Sequence, residues 1–234
     1  MNDNICIITA RGGSKRIPRK NIKEFCGKPI IAYSIEAAIR SGVFKEVMVS
    51  TDDEEIAEIA KRYGANVPFF RSAATATDYA TTADVLLEVL DAYKKLGREF
   101  EFMCCLYPTA PFINANRLKT ALEIMAEKKP VEIIPVVSYS FPPQRCFVID
   151  ESNYMRYKYK EYMNTRSQDL EKLYHDAGQF YVYDIQKYLK VKGQVSEKIM
   201  PLLLDEIEVQ DIDDEQDWII AEMKYDLLKK RGRI

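Results

Sequence analysis

The sequence predicts an α/β fold with a mostly parallel sheet and helices on both faces. Through the first 140 residues, short apolar segments typical of strands alternate with longer segments whose apolar residues have helical spacing. Strict alternation of this kind is typical of three-layer domains. The chain has 234 residues, of which 47% are hydrophobic, so it is long enough for one domain with a full core. We therefore expect a single domain over residues 1–234.

The elements follow from local signals along the chain. Branched apolar runs indicate strands, Asp, Asn and Thr mark helix starts, and Gly42 and Gly64 mark helix ends. The predicted strands are residues 5–8, 47–51, 66–70, 102–106, 132–137, 146–149, 154–157, 179–183, 199–204 and 207–209. The predicted helices cover 29–40, the stretch between Asp52 or Asp53 and Gly64, a stretch from Thr81 or Thr82 through Tyr93, 114–128, a short stretch ending at Leu189, and 215–230.

Segment 140–176 interrupts the alternation. It opens with Pro142-Pro143 and is rich in tyrosine and charged residues. We interpret it as an inserted arm or lid rather than another α/β unit.

Composition excludes several classes of protein. A net charge of −2 and a pI near 5.7 argue against a nucleic-acid partner. No run of about 18 apolar residues is present, so we expect no membrane segment. The five cysteines lack C-x-x-C spacing, which favours reduced core residues in a cytoplasmic protein over a metal or disulfide site.

A basic loop follows the first strand and is the strongest functional signal. Glycine at 12 and 13 allows close approach of a ligand to the backbone, and cations supply charge and hydrogen bonds for phosphate oxygens. The spacing matches neither the P-loop nor the dinucleotide fingerprint. A solvated basic turn is the alternative, but open α/β sheets bind ligands at this position. The cations of residues 4–28 are Arg11, Lys15, Arg16, Arg19, Lys20, Lys23 and Lys28.

A cluster of acids near the carboxy end, VQDIDDEQDW at 209–218, allows two interpretations. Asp211 and Asp213 project to the same side of an extended segment, and two carboxylates suit Mg²⁺ shared with substrate phosphates. Alternatively, Asp213 or Asp214 caps the last helix. Asp214 and Asp217 are predicted helix-start residues.

The loop ARGGSKRIPRKN resembles the signature of the sugar-acid cytidylyltransferases, the CMP-sialic acid synthetase type. The resemblance covers nearly the whole chain, and it implies a Rossmann-like nucleotidyltransferase fold. It also implies that CTP and a nine-carbon keto-sugar acid react to give a CMP-sugar and pyrophosphate. The implied catalytic residues are Arg11, Lys15, Lys20 and Asp211. The implied nucleotide-binding residues are Arg11, Gly12, Gly13, Ser14, Lys15, Lys20, Asn21, Arg71 and Thr82. The family match favours Asp211 and Asp213 as Mg²⁺ ligands.

Departures from the sialic-acid pattern point to one branch of this family. Tyr107 and Ile113, in LYPTAPFI, replace glutamine and arginine, and His175-Asp176-Ala177 replaces Arg-Pro-Asn. The string YHDAGQFY resembles the pseudaminic acid branch. A lone histidine is usually a packed or solvated residue, but this one lies in the segment expected to meet the sugar. The implied sugar contacts are Tyr107, Gln144, Arg145, Arg166, Gln168, His175 and Asp176.

The resemblance further implies a homodimer in which arm 140–176 packs against a second subunit. Residues near 145 and 166 would then complete the partner's site. Synthetases for N-acetylneuraminate, legionaminate or an eight-carbon keto-deoxy acid stay open as alternatives. So does a non-catalytic nucleotide-binding protein, and no side chain stands out as a general base.

Overall fold

The computed structural model describes residues 3–234, which contain eleven strands and six α-helices. The strands are β1 (Asn4–Thr9), β2 (Glu24–Phe25), β3 (Lys28–Pro29), β4 (Glu46–Ser50), β5 (Phe102–Leu106), β6 (Glu132–Ser138), β7 (Phe147–Ile149), β8 (Met155–Tyr157), β9 (Tyr174–Asp176), β10 (Phe180–Asp184) and β11 (Ile199–Leu203). The helices are α1 (Ile30–Ser41), α2 (Glu54–Arg62), α3 (Thr82–Lys95), α4 (Ala115–Lys128), α5 (Ile185–Lys190) and α6 (Glu215–Lys230).

The main sheet has the strand order β11-β6-β10-β5-β1-β4, and β9 pairs with the far end of β6. Strands β4, β1 and β5 are parallel, as are β6 and β11, while β10 runs antiparallel between β5 and β6. The carboxyl ends of β1, β4 and β5 therefore meet at one edge of the sheet. The prediction of a mostly parallel sheet is confirmed.

Side-chain alternation along β1 divides the core into two layers. Cys6 and Ile8 pack with buried residues of α1, α2 and α4 on one face. Ile5 and Ile7 pack with buried residues of α3 and α5 on the other. This arrangement of helices on both faces confirms the predicted three-layer architecture. A third cluster, around Phe25 and Trp218, holds α6 against the basic loop.

Short polar side chains fix the helix starts where the sequence placed them. Asp53 accepts a hydrogen bond from the backbone of Ile56 at the start of α2. Thr81 forms a capping box with Asp84 before α3. Asp214 and Asp217 form the capping box of α6, which confirms their predicted role at the helix start.

Two predicted strands are wrong. Residues 66–70 contribute only a bridge from Asn66 to Met48, because Pro68 has no N–H to continue a ladder. Residues 207–209 overlap a 3-10 turn, Glu206–Glu208, instead of a strand. The buried Glu208 carboxylate fixes that turn, since Arg117 and Arg233 contact its two oxygens at 2.7 and 2.8 Å.

Segment 140–176 divides into a projecting part and a sheet strand. Strands β7 and β8 pair only with each other, and their side chains Ile149 and Met155 are 70% and 62% exposed, as is Tyr154 between the strands at 74%. The last three residues of the segment form β9 and belong to the main sheet. No helix within residues 3–234 has the length and apolar character needed to cross a bilayer.

Candidate active site

A cavity of about 480 Å³ lies at the sheet edge where β1, β4 and β5 end, a size typical of small-molecule sites. We call it the cationic cavity, because five lysines and arginines line it and no carboxylate does. Its lining residues are Thr9, Arg11, Ser14, Lys15, Arg16, Ile17, Lys20, Asn21, Arg71, Ala80, Thr81, Thr82, Val85, Tyr107, Pro108 and Thr109. The structure thus brings together seven of the predicted nucleotide-binding residues.

The basic loop is held in shape by its own polar contacts. Buried Asn21 donates a hydrogen bond to the carbonyl oxygen of Arg11 at 2.9 Å, so it supports the loop from within. Gly12 donates its N–H to Asp52 at 3.0 Å, and an added Cβ there would meet Asp53 at 2.7 Å. Gly13 has open space around it. The two glycines shape the loop but do not line the cavity.

Arg11 and Lys15 share one counter-ion, the carboxylate of Asp78, which contacts both side chains. Hydrogen bonds from Lys15 and then from Arg11 lower the pKa of this carboxyl. Asp78 is exposed, in the loop before α3. A carboxylate on these two cations occupies the position where a phosphate would be expected.

Arg71 lies deeper than the other cations. Its guanidinium donates to the carbonyl and hydroxyl oxygens of Ser50 at 2.8 and 3.2 Å, at the end of β4. Burial is the main cause that lowers the pKa of Arg71. Thr82 is the first residue of α3 and faces the same cavity.

Contacts between the basic loop and the acidic segment before α6 join the two ends of the chain. Lys20 Nζ donates to the carbonyl oxygen of Ile212 at 2.6 Å and lies 3.8 Å from Asp213 Oδ1. Arg16 contacts the same carboxylate oxygen at 2.8 Å. Burial lowers the pKa of Lys20, while the charges of Asp213 and Asp211 act in the opposite direction. The basic loop and the acidic segment are therefore in direct contact through Lys20 and Arg16.

The negative charge of the Asp211 carboxylate is only partly offset by nearby cations. Although its side chain is exposed at a cavity rim, partial desolvation is the largest cause raising the pKa of its carboxyl, followed by the charge of Asp213. Two crowded carboxylates of this kind favour a bound cation. Within residues 3–234, no group of three or more His, Cys, Asp or Glu side chains forms a metal cluster, so any ion here would need ligands from substrate or water.

A second cavity of about 520 Å³ adjoins the first, with Tyr107 lining both. We call it the acidic cavity, because three carboxylates line it. Its lining residues are Tyr107, Val137, His175, Asp176, Ala177, Gly178, Tyr181, Glu206, Val209, Gln210, Asp211 and Lys224. The predicted sugar contacts Tyr107, His175 and Asp176 thus meet the predicted metal ligand Asp211.

The wall between the cavities is ordered by Tyr181. Its hydroxyl donates to Asp176 Oδ2 at 2.7 Å, and the backbone N–H of Gly178 donates to the other oxygen at 2.8 Å. The rings of Tyr107 and Tyr181 pack edge to face at 5.6 Å between centroids. Burial raises the pKa of Tyr181, so this phenol stays protonated and holds Asp176 in place.

The four remaining sugar candidates lie in the arm and do not line either cavity within one chain. Arg166 forms a bidentate pair with Asp169, and Arg145 lies 3.4 Å from Ser167. Gln144 donates to the carbonyl oxygen of Glu171 at 2.8 Å, and Gln168 lines a separate small cavity of the arm. Their assignment to the sugar stays a prediction that requires a second subunit.

Sequence reasoning missed several lining residues. Thr9 and Thr109 lie just beyond the apolar runs of β1 and β5, so the rule that ligands bind at carboxyl ends could have found them. Tyr181 alternates with buried Phe180 and Val182, which could have indicated its different face. Lys224 lies within α6 and has no signal in the sequence.

Comparison with known proteins assigns the chain to a family. A model of the family described as cytidylyltransferase matches residues 5–217. The chain belongs to the cytidylyltransferase family. It is therefore a nucleotidyltransferase enzyme, and the resemblance carried by the basic loop is confirmed.

Relatives of this cytidylyltransferase agree along nearly its full length. It is 42% identical over 226 residues to the pseudaminic acid cytidylyltransferase of Campylobacter jejuni, which covers 95% of this chain and 96% of that protein. It is 34% identical over 233 residues to the CMP-N,N'-diacetyllegionaminic acid synthase of Legionella pneumophila, covering 95% and 96%. The solved structure of a CMP:2-keto-3-deoxy-manno-octonic acid synthetase complexed with CTP has a TM-score of 0.70 at 17% identity, covering 98% of this chain and 100% of that one. At that identity the match shows the shared nucleotidyltransferase fold.

Proposed function

We propose that this enzyme transfers CMP from CTP to the anomeric hydroxyl of pseudaminic acid and releases pyrophosphate. The observation that carries the proposal is the junction at Lys20, which lines the cationic cavity and contacts the segment that bears Asp211 and Asp213. The lysines and arginines of the cationic cavity would bind the triphosphate of CTP. The adjoining acidic cavity would hold the second substrate. The choice of pseudaminic acid rests on the 42% identity to the Campylobacter relative over nearly the whole chain.

The cations would act on the triphosphate. The sugar hydroxyl attacks the α-phosphorus, and the bond from that phosphorus to the pyrophosphate oxygen breaks. Arg11, Lys15 and Lys20 would stabilise the charge that develops on the α-phosphate and on the departing pyrophosphate. Fixed charges of this kind act without reorganisation, so positioning and electrostatics account for the catalysis.

The remaining predicted nucleotide residues would orient CTP. Arg71 and Thr82 line the cationic cavity from outside the loop, and Ser14 lies on the loop itself. Gly12 and Asn21 would act by shaping the loop, as their contacts indicate, and Gly13 would leave room for the nucleotide beside the loop.

The two aspartates of the segment before α6 have the chemistry of ligands for a divalent cation. Asp211 and Asp213 are proposed to hold Mg²⁺, because their carboxylates are crowded and the charge of Lys20 offsets only part of that crowding at Asp211. When bound, the ion would supply positive charge to phosphate oxygens. The Asp213 carboxylate also contacts Arg16 and Lys20.

In the acidic cavity, Tyr107, His175 and Asp176 are proposed to contact the sugar. Asp176 is held rigidly by Tyr181 and Gly178, so its position is suited to selecting sugar hydroxyl or amide groups. Gln144, Arg145, Arg166 and Gln168 are proposed to reach the site of a second subunit.

We propose one catalytic domain over residues 1–234, with arm 140–176 forming a homodimer. The support is the exposed apolar surface of β7 and β8. A cytoplasmic location is also proposed, since the five cysteines are unpaired, as in a reducing compartment.

Dimerisation is tested by light scattering after size exclusion. Ile149→Glu, at a side chain 70% exposed in the arm, should convert the dimer to a monomer. Leu96→Glu is the matched control, at an apolar side chain 59% exposed outside the arm, and should leave the mass unchanged. A monomeric wild-type protein would contradict the proposal.

Substrate choice is tested by pyrophosphate release with CTP and a panel of sugar acids. The panel contains pseudaminic, legionaminic, N-acetylneuraminic and 3-deoxy-octulosonic acids. We expect the highest kcat/KM with pseudaminic acid. Equal kcat/KM for pseudaminic and N-acetylneuraminic acid would refute the specificity. Binding of CTP without turnover of any of these acids would refute the proposed class of sugar substrate.

A further inference from the structure

The acidic cavity presents an electrostatic problem for the substrate proposed above. A sugar acid brings a carboxylate into a space already lined by Asp176, Glu206 and Asp211. Like charges at short range weaken binding unless a cation compensates. Lys224 is the one lysine among the lining residues, which include no arginine, and His175 is the only other basic side chain there.

Contacts of Lys224 fix its ammonium at this cavity. Nζ donates to the carbonyl oxygen of Val209 at 2.7 Å and lies 3.4 Å from that of Glu206. These contacts are to neutral carbonyl groups, so they orient the ammonium without neutralising it. An ammonium has three N–H donors, which leaves one free for a ligand. Burial lowers the pKa of Lys224, and the charge of Glu206 acts in the opposite direction.

Position along the chain places Lys224 beside the proposed reaction centre. It lies on α6, which follows the segment that carries Asp211 and Asp213, and its ammonium reaches back to the turn at Glu206–Glu208. Lys224 and Asp211 therefore line the same cavity. Arg166, the other cation among the predicted sugar contacts besides Arg145, forms its ion pair with Asp169 in the arm.

We propose that Lys224 binds the carboxylate of the sugar acid and so selects acidic sugars. This inference rests on the proposed function, and it assigns the substrate's charged group to a residue of the same subunit. A purely structural role, in which Lys224 only ties α6 to the preceding turn, is the competing explanation.

The test compares the free sugar acid with its methyl ester as substrates for wild type and variants. Lys224→Met keeps the apolar stem and removes the ammonium, whereas Lys224→Arg keeps the charge. Lys187→Met is the control, because Lys187 Nζ also donates to two backbone carbonyls, those of Lys129 and Pro130 at 2.8 and 3.1 Å, outside both cavities. Unlike Lys224, it also forms an ion pair, with Asp184 at 2.8 Å. Pyrophosphate release at saturating CTP gives kcat and KM, and thermal unfolding gives Tm.

We expect wild type to prefer the free acid over the ester by about 10- to 100-fold in kcat/KM, as for a hydrogen bond between charged groups. Lys224→Met should lose this preference through a higher KM for the acid, with the KM for CTP unchanged. Lys224→Arg should retain part of it. Lys187→Met should lower Tm without changing the preference.

Two results would overturn the inference. A Lys224→Met enzyme that keeps the acid preference but has a lower Tm would show that Lys224 is only a structural tie. Loss of the preference in Arg166→Met, with Lys224→Met unaffected, would assign the carboxylate to the arm. Either result leaves wild-type turnover intact and so differs from failure of the proposed function, in which wild type turns over none of the sugar acids.

Discussion

Replacement of Gly12 by alanine tests how the basic loop is positioned against α2. A Cβ at residue 12 would lie 2.7 Å from Asp53 Oδ2 and 3.1 Å from Asp53 Cβ. The carboxylate has little freedom to move, since Arg19 Nη2 donates to it at 2.9 Å and the backbone N–H of Ile56 donates at 3.0 Å. Gly12→Ala must therefore displace either the loop or the cap of α2.

The expected loss of stability follows from the cost of displacing the cap of α2 and the cost of displacing the loop. Loss of a carboxylate N-cap costs about 0.5–2 kcal/mol of stability. Forcing a methyl group into a packed site costs about 1–3 kcal/mol. The structure will relax along whichever of these displacements costs less. We therefore expect the free energy of unfolding to fall by about 1–2 kcal/mol, equivalent to a Tm lower by roughly 2–8 °C for a chain of this size.

Gly13→Ala is the control, because a Cβ at residue 13 has no neighbour within 4 Å. Urea unfolding should show a lower free energy of unfolding for Gly12→Ala and a change within about 0.5 kcal/mol for Gly13→Ala. The KM for CTP should also rise in Gly12→Ala, since the displaced loop carries Arg11 and Lys15. Equal stability of the two variants would refute the reasoning.

Three further predictions concern charges and a helix cap at the site. Asp211→Asn should lower kcat about 10³-fold, as expected for loss of several kcal/mol of charge stabilisation. The same variant should raise Tm near neutral pH. Because the pKa of Asp211 is raised in the folded protein, wild-type stability falls as pH rises through that pKa, and the gain in Tm should therefore shrink in acid. A gain in Tm that is the same at every pH would argue against this cause. Asp78→Asn should tighten CTP binding a few-fold in calorimetry at low salt, because it frees Arg11 and Lys15, whereas weaker binding would show that Asp78 itself contacts the nucleotide. Thr81→Ala removes the capping box of α3 and should lower stability by about 1 kcal/mol in thermal unfolding, and an unchanged Tm would contradict the cap assignment.

Local patterns predicted the parts of the fold that depend on local physics. The apolar run Phe102–Leu106 is buried throughout in β5, and the caps at Asp53 and Asp214 begin α2 and α6 as expected. Of the two wrong strands, 66–70 could have been excluded locally from Pro68, whereas the other failed because a distant partner decides the conformation. The turn at Glu206–Glu208 depends on Arg117, which lies about 90 residues earlier in the chain.

In the site, too, local sequence predicted some residues, whereas others depend on distant parts of the chain. The cations of the basic loop are continuous in sequence, so their convergence could be predicted. Lys224 reaches the acidic cavity only because α6 packs on Phe25 through Trp218, which no local pattern specifies. Residues of the arm, such as Arg166, line neither cavity within one chain, so their proposed role requires a second subunit.

Contacts between the basic loop and the segment before α6 span almost the entire polypeptide, since Lys20 and Ile212 are 192 residues apart. During synthesis the loop emerges long before the residues that fasten it. A nascent chain would therefore contain the basic loop and strands β1, β4 and β5 before Ile212 was available to fasten the loop.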